Sequence, residues 1–255
     1  MQFVEQKEEF DKARQIVRSI ERAQDGIGTL SEKSVHAVAK YYLVPKKEYH
    51  ECKINGFIAD IFFEEEVFEI QTAQFYKLRA KLDTFLKEYD VTIVYPLPIK
   101  KTILWMDPNT WEIVEKRKSS RNKSIYTIFL EMYQIRSYIR HERLHFRLLL
   151  MEIEEQRLLD GYGKSKKIRA NRRDKIPMDL VEDIFLDSKA DYERFLPTNL
   201  PDQFTSKEFS KAAKIHIQDA QITLLILSDL EIVDRVDKKG NQFIYQRNKN
   251  ESQLG

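Results

Sequence analysis

Residues 48–72 read EYHECKINGFIADIFFEEEVFEIQT, and the Asn55-Gly56 pair inside them constrains the fold more than any other feature of the chain. Asn-Gly favours positive φ at both centre positions of a two-residue turn, the geometry whose twist matches two antiparallel strands. Apolar and β-branched residues flank it on both sides, so HECKI and FIADIFF are predicted to form a hairpin. After a turn near Glu64 to Glu66, VFEIQT supplies a third strand. AQFYKLRAKLDTFLKEY then switches to helical period, with Phe75, Leu78, Leu82, Phe85 and Leu86 on one stripe. VTIVYPL and KTILWM read as two further short strands before a turn at DPNT.

Upstream, a helix is expected from Val4 to Ala23, stopped by the glycines of QDGIGTL. LSEKSVHAVAKYYL follows as a shorter helix with Ser31 as N-cap. Helix, three strands, helix and two strands across 25–110 predict an α/β (α+β) domain on a mixed sheet flanked by helices. Beyond it, IYTIFLEMYQIRSYI reads as helix, and FRLLLMEIEEQ fits strand or helix equally. MDLVEDIFL and ADYERFL read as short helices, and PTNLPDQF as a linker. The last fifty residues form helix, turn, helix and then the hairpin VDRVDKKGNQFIYQRN, the order of a small C-terminal winged helix-turn-helix. The expected division is an N-terminal helix at 1–24, an α/β domain at 25–160, a basic loop and helical linker at 161–200, and the winged module at 201–255.

Apolar residues make up 42% of the chain and charged residues 33%. No apolar run approaches the roughly 18 residues a membrane span needs, so no membrane partner is expected. The charged N-terminus lacks the features of a signal peptide. Cys52 is the single cysteine, which excludes an internal disulfide and fits a reducing compartment; the expected location is cytoplasmic. Net charge is only +2, yet the bases are clustered. GKSKKIRANRRDK (163–175) carries seven bases against one acid, and EKRKSSRNK (115–123) five against one. Such clusters bind phosphates even when distant acids cancel the total, although a solvated loop also accounts for them.

Asp60 and Glu69 interrupt the apolar strands. Side chains alternate along a strand, so Asp60 and Glu69 come nearly opposite each other if the two strands pair through the intervening turn. Their carbon frames then lie about 5 Å apart. Two carboxylates so close repel unless one is protonated or a cation bridges them. A hard divalent ion such as Mg²⁺ or Mn²⁺ suits that donor set and leaves waters for chemistry. The bland alternative is a hairpin with a polar face.

Asp60, then Glu69-Ile70-Gln71 on the next strand, then an amphipathic helix, resembles the PD-(D/E)xK nuclease superfamily over about residues 30–106. The resemblance implies a restriction-endonuclease-like fold, a Mg²⁺ or Mn²⁺ site at Asp60 and Glu69 with Glu32 as a further ligand, and DNA as the partner whose phosphodiester bonds are hydrolysed. It departs from the pattern at Gln71, where a lysine is usual; Lys77 or Lys81 from the next helix would supply the missing cation. It allows a homodimer, since cutting two strands needs two sites. The expected backbone contacts are Lys164, Lys166, Lys167, Arg169, Arg172 and Arg173 in the basic loop and Lys238 and Lys239 on the wing. The rival expectation is a non-catalytic nucleic-acid-binding or regulatory protein on a degenerate nuclease fold.

Other residues are read beside these. His36 and His50 stand near the expected metal pair, either as ligands or, more commonly for such histidines, as satisfied structural residues. Glu51 is a further acidic neighbour, and Cys52 is expected to be buried in the sheet. His141-Glu142-Arg143-Leu144-His145 matches the H-E-x-x-H zinc peptidase signature, which requires a helix to put both imidazoles on one face. The segment downstream offers no third ligand in the expected spacing.

Overall fold

Phe10, Ala13 and Val17 recur at helical spacing and are all buried. They make one stripe of α1 (Gln2–Ala23), which packs on α2 (Ser34–Leu43). The computed structural model describes residues 2–23, 34–120, 123–161 and 170–248. The chain separates into two units. The first takes the described residues within Met1–Thr72, Ile93–Lys123 and Arg147–Ile184. The second takes those within Ala73–Thr92, Ser124–Phe146 and Phe185–Gly255. Both are interleaved along the chain, unlike the contiguous domains that composition suggests.

The first unit is built on a large mixed sheet. Its strands are β1 (His50–Ile54), β2 (Phe57–Phe63), β3 (Glu66–Ile70), β4 (Asp90–Met106), β5 (Ile113–Lys118), β6 (Leu144–Leu158) and β7 (Asn171–Leu186), ordered β1-β2-β3-β4-β6-β7 with β5 paired to β4. Asn55 and Gly56 both take positive φ (47° and 85°) between β1 and β2, as the hairpin requires. Glu64 and Glu65 do the same between β2 and β3 at 52° and 64°, without the freedom of glycine or asparagine. One face of the sheet buries Ile61, Ile70, Val94, Leu149, Met151, Ile153 and Leu180 against Val35, Val38, Ala39 and Tyr42 of α2 and the α1 stripe.

Two segments differ from expectation. VTIVYPL and KTILWM are one strand, β4, because proline's fixed φ lies in the extended range and only a ladder N–H is lost. Pro96 and Pro98 are two apart, so both missing N–H groups fall on the same strand edge. MDLVEDIFL is not helix but the end of β7, so the stretch at 161–200 is no simple linker. Pro177, Leu180 and Ile184 are buried at three- and four-residue spacing, which mimics a helical stripe in a strand. FRLLLMEIEEQ resolves as strand, within β6.

The second unit holds a 3-10 turn at Phe75–Leu78 leading into α3 (Arg79–Phe85), then α4 (Thr127–Gln134) and α5 (Lys189–Tyr192). Phe75, Leu78, Leu82, Phe85 and Leu86, the expected stripe, are all buried. β8 (Gln203–Thr205), α6 (Ser206–Ala213), α7 (Ile217–Asp229), β9 (Val233–Lys239) and β10 (Gln242–Arg247) follow. The three strands form a separate sheet ordered β8-β10-β9. Thr205 caps α6 through a reciprocal box with Glu208. Edge-to-face contacts of Tyr126 with Phe195 and Phe209 (6.0 and 5.8 Å), and of Phe129 with Phe195 (4.8 Å), fill its core. Among the described residues, no helix is long and apolar enough to cross a membrane.

Candidate functional site

β2 and β3 pair with Phe63 opposite Glu66, Phe62 opposite Val67 and Ile61 opposite Phe68. Asp60 and Glu69 are the next residues on the two strands beyond the pair of Ile61 and Phe68. Asp60 is largely enclosed, its side chain 20% exposed, and Glu69 is buried at 2%. Asp60 Oδ2 accepts the Ile70 backbone N–H at 2.7 Å and lies 3.3 Å from His36 Nε2. The same imidazole nitrogen is 3.0 Å from the Ile70 carbonyl oxygen. His36 of α2 thus ties the carboxylate of β2 to the end of β3. Gln71 follows at once, its backbone N–H donating to the Val94 carbonyl of β4 at 2.9 Å.

One helical turn beyond His36, Lys40 is buried and pairs with Glu51 of β1 at 3.0 Å. Glu51 is therefore a partner for a buried lysine. His50 Nε2 lies 2.7 Å from the Val44 carbonyl and its ring meets Tyr41 edge-on at 4.9 Å, a structural setting. Cys52 is half-buried rather than enclosed in the sheet.

α2 is itself clamped to the sheet by a buried ion pair. Asp183 of β7 has a fully buried side chain and accepts three hydrogen bonds from Arg147 of β6 at 2.7–3.2 Å. The Tyr42 hydroxyl of α2 donates to the same carboxylate at 2.6 Å, and the Arg147 guanidinium lies over the Tyr42 ring at 5.4 Å. Burial, followed by the Asp183 charge, pushes the Tyr42 phenol above its ordinary pKa.

A second charged group stands on β4, β6 and β7, and no local pattern in the sequence announces it. Glu155 has a fully buried side chain and accepts from Arg157 at 2.7 and 2.5 Å. Lys101 Nζ is 3.3 Å from one of its oxygens and Arg172 Nε 3.3 Å from the other. Burial raises the Glu155 pKa, but the Arg157 bonds and the charges of Lys101 and Arg172 hold it below the ordinary carboxylate value. Lys175 has the opposite situation: burial first, then Arg172, Lys123 and Lys101, depress its pKa, and Glu155 only partly offsets them. Arg157 stacks over Trp105 at 5.1 Å, and Arg173 over Trp111 at 4.0 Å.

The other expected residues are distributed as follows. Lys77 and Lys81 belong to the second unit, on the 3-10 turn and α3. Glu32, Lys164, Lys166, Lys167 and Arg169 lie outside the described residues. Arg172 and Arg173 begin β7 instead of standing in a loop. Lys238 and Lys239 are exposed at the end of β9, with Lys238 Nζ 5.7 Å from the Phe243 ring centre. His141-Glu142-Arg143-Leu144-His145 is not helical: it crosses a turn into the start of β6. Its imidazoles therefore do not share a helix face, and His145 Nδ1 instead lies 3.5 Å from Asp187 Oδ1. His141, Glu142, Leu144 and His145 line a cavity of about 360 Å³ in the second unit, with Tyr192, Lys189 and Glu231 on its wall. Among the described residues, no three His, Cys, Asp or Glu side chains are grouped to hold a metal by themselves. Two carboxylates can nevertheless suffice for Mg²⁺, which keeps most of its waters.

A family described as a domain of unknown function, DUF8091, matches residues 33–187. The chain belongs to the DUF8091 family. The matched segment runs from α2 through β7 and contains Asp60, Glu69, the Arg147–Asp183 pair and the Glu155 cluster. A protein from Treponema pallidum (strain Nichols), described as uncharacterized, is 24% identical over 186 residues, 72% of this chain and 74% of the relative. No solved structure matches the chain.

Proposed function

We propose that this DUF8091 chain is a metal-dependent phosphodiester hydrolase acting on DNA, with a restriction-endonuclease-like fold in its first unit. The observation that supports the reading is that Asp60 and the buried Glu69 follow directly on the paired Ile61 and Phe68 of adjacent strands β2 and β3. Two adjacent carboxylates of this kind fit a hard divalent cation by the chemistry of their donors: oxygen ligands, net negative charge and rigid strands beneath them. Asp60 and Glu69 would hold Mg²⁺ or Mn²⁺, which supplies Lewis acidity and an activated water when bound. His36 keeps the Asp60 carboxylate in place through the Ile70 contact, so the pair is preorganised. Gln71, two residues after Glu69 and just past the end of β3, would orient the attacking water by hydrogen bonding. The order α2, β1, β2, β3, α3, β4 supports the nuclease-like topology.

The second unit supports a winged-helix reading through β8, α6, α7 and the β9–β10 hairpin, with β8 pairing β10. Lys238 and Lys239 would meet phosphate from the wing. The exposed N-terminal part of α7 presents Ile217, Gln218 and Gln221, with no arginine or lysine, so this module would contribute little sequence readout.

The test is cleavage of plasmid and oligonucleotide DNA in Mg²⁺ or Mn²⁺, wild type beside Asp60→Ala and Glu69→Ala. Loss of activity in both variants is expected. DNA binding without cleavage in the wild type would instead favour the non-catalytic nucleic-acid-binding alternative.

A further inference from the structure

We infer that Lys101, Lys123, Arg172 and Lys175 form a phosphate-binding site on the sheet of the first unit, separate from the Asp60–Glu69 pair. Three observations converge. Lys101, Arg157 and Arg172 all reach the one buried carboxylate of Glu155, within 3.3 Å. Lys175 feels the positive charges of Arg172, Lys123 and Lys101 beside the one negative charge of Glu155, so bases outnumber the carboxylate in its surroundings. Lys175 is half-buried, and among the described residues its ammonium makes no hydrogen bond or ion pair.

Excess positive charge held partly out of water is unfavourable by itself. It becomes favourable when a dianion or phosphodiester enters, since the Lys175 ammonium then gains a charge-assisted partner and the other bases a second negative charge. Glu155 sets the geometry: it fixes Arg157, Arg172 and Lys101 on three neighbouring strands, so the donors are preorganised and do not dangle from loops. The exposed ring of Trp111, backed by Arg173, adds an aromatic surface beside the same strands. A phosphate carried by a nucleic-acid backbone and a free phosphate or nucleotide share the recognised chemistry. Arg117 and Lys118 of β5 extend the positive surface toward a longer ligand, while Lys116 is paired with Glu154 at 2.8 Å.

The experiment titrates a fluorescein-labelled single-stranded 20-mer, a duplex of the same length, ATP and inorganic phosphate into the full chain in EDTA. The absence of divalent metal separates this test from hydrolysis at Asp60 and Glu69. Binding is read by anisotropy and by the two tryptophans, Trp105 and Trp111, both in contact with arginines of this surface. Lys175→Met keeps the side chain's length and removes its charge; its melting temperature is expected at or above wild type, because a crowded cation is lost. If the owner is a nucleic-acid backbone, the 20-mer binds, Lys175→Met and Arg172→Gln weaken it about tenfold, and each lowers the salt slope by about 1. If the owner is a free phosphate, ATP or inorganic phosphate changes tryptophan emission, and the same variants abolish that change. Binding of all four probes unaltered in folded Lys175→Met and Arg172→Gln, or binding of none by the wild type, overturns the site.

Discussion

Replacing Asp183 by asparagine removes the charge from the clamp that joins α2, β6 and β7 without changing its shape. The wild-type carboxylate is fully buried, accepts three hydrogen bonds from Arg147 and takes a fourth from Tyr42. Arg147 keeps only 17% of its side-chain exposure, so its charge would be left with little solvent to compensate it. Breaking one partner of such a buried pair costs about 3–5 kcal/mol. Asparagine retains an acceptor oxygen, which places Asp183→Asn near the lower end, about 3 kcal/mol, and Asp183→Ala near the upper. In a domain of this size that lowers the melting temperature by roughly 6–12 °C. Tyr42→Phe removes one hydrogen bond to a charged acceptor and costs about 1.5–3 kcal/mol. Urea unfolding followed by tryptophan emission gives each value, since both tryptophans lie in the first unit. The double variant with Asp183→Ala should be less destabilised than the sum by about 1 kcal/mol or more, because both changes remove the same contact. An Asp183→Asn protein within about 0.5 kcal/mol of wild type would refute the clamp as a source of stability.

Further outcomes follow from other contacts. Glu155 has its folded pKa depressed, so its contribution is full above the ordinary carboxylate value of 4.5 and disappears as pH falls through the lower folded value; Glu155→Gln should flatten that acid limb in a pH series of urea midpoints. Thr205→Ala removes the N-cap of α6 and should cost about 1 kcal/mol, read as faster amide exchange in α6. Replacing Glu64-Glu65 by Asn-Gly relieves two left-handed non-glycine residues and should stabilise the β2–β3 turn by about 1 kcal/mol in the same urea assay. His36→Gln should leave the fold intact but weaken Mn²⁺ binding severalfold, measured by calorimetry, because Asp60 loses a positioning partner.

The β1–β2–β3 meander was legible because its information is local: Asn55-Gly56 fixes the turn, and period-2 alternation fixes which residues share a face. That alternation also puts Asp60 and Glu69 on adjacent strands across one short turn. β7 was misread because Pro177, Leu180 and Ile184 carry a helix-like spacing, and only pairing with a distant strand makes the segment extended. The Glu155 cluster joins residues 101, 155 and 172, and Arg147 meets Asp183 across 36 positions. Such contacts depend on strand order across the sheet, which no window of sequence reports. His36 was noticed near the acidic pair, but its grip on Asp60 and the Ile70 carbonyl emerges only once α2 is packed.

The most direct test of the metal-pair account is calorimetric titration of Mn²⁺ into wild type, Asp60→Asn and Glu69→Gln, each first shown to be folded. The account predicts one Mn²⁺ per chain in wild type and loss of that binding in both variants. Wild-type protein that takes up no Mn²⁺, or variants that bind it undiminished, would contradict the assignment of Asp60 and Glu69 as a metal pair.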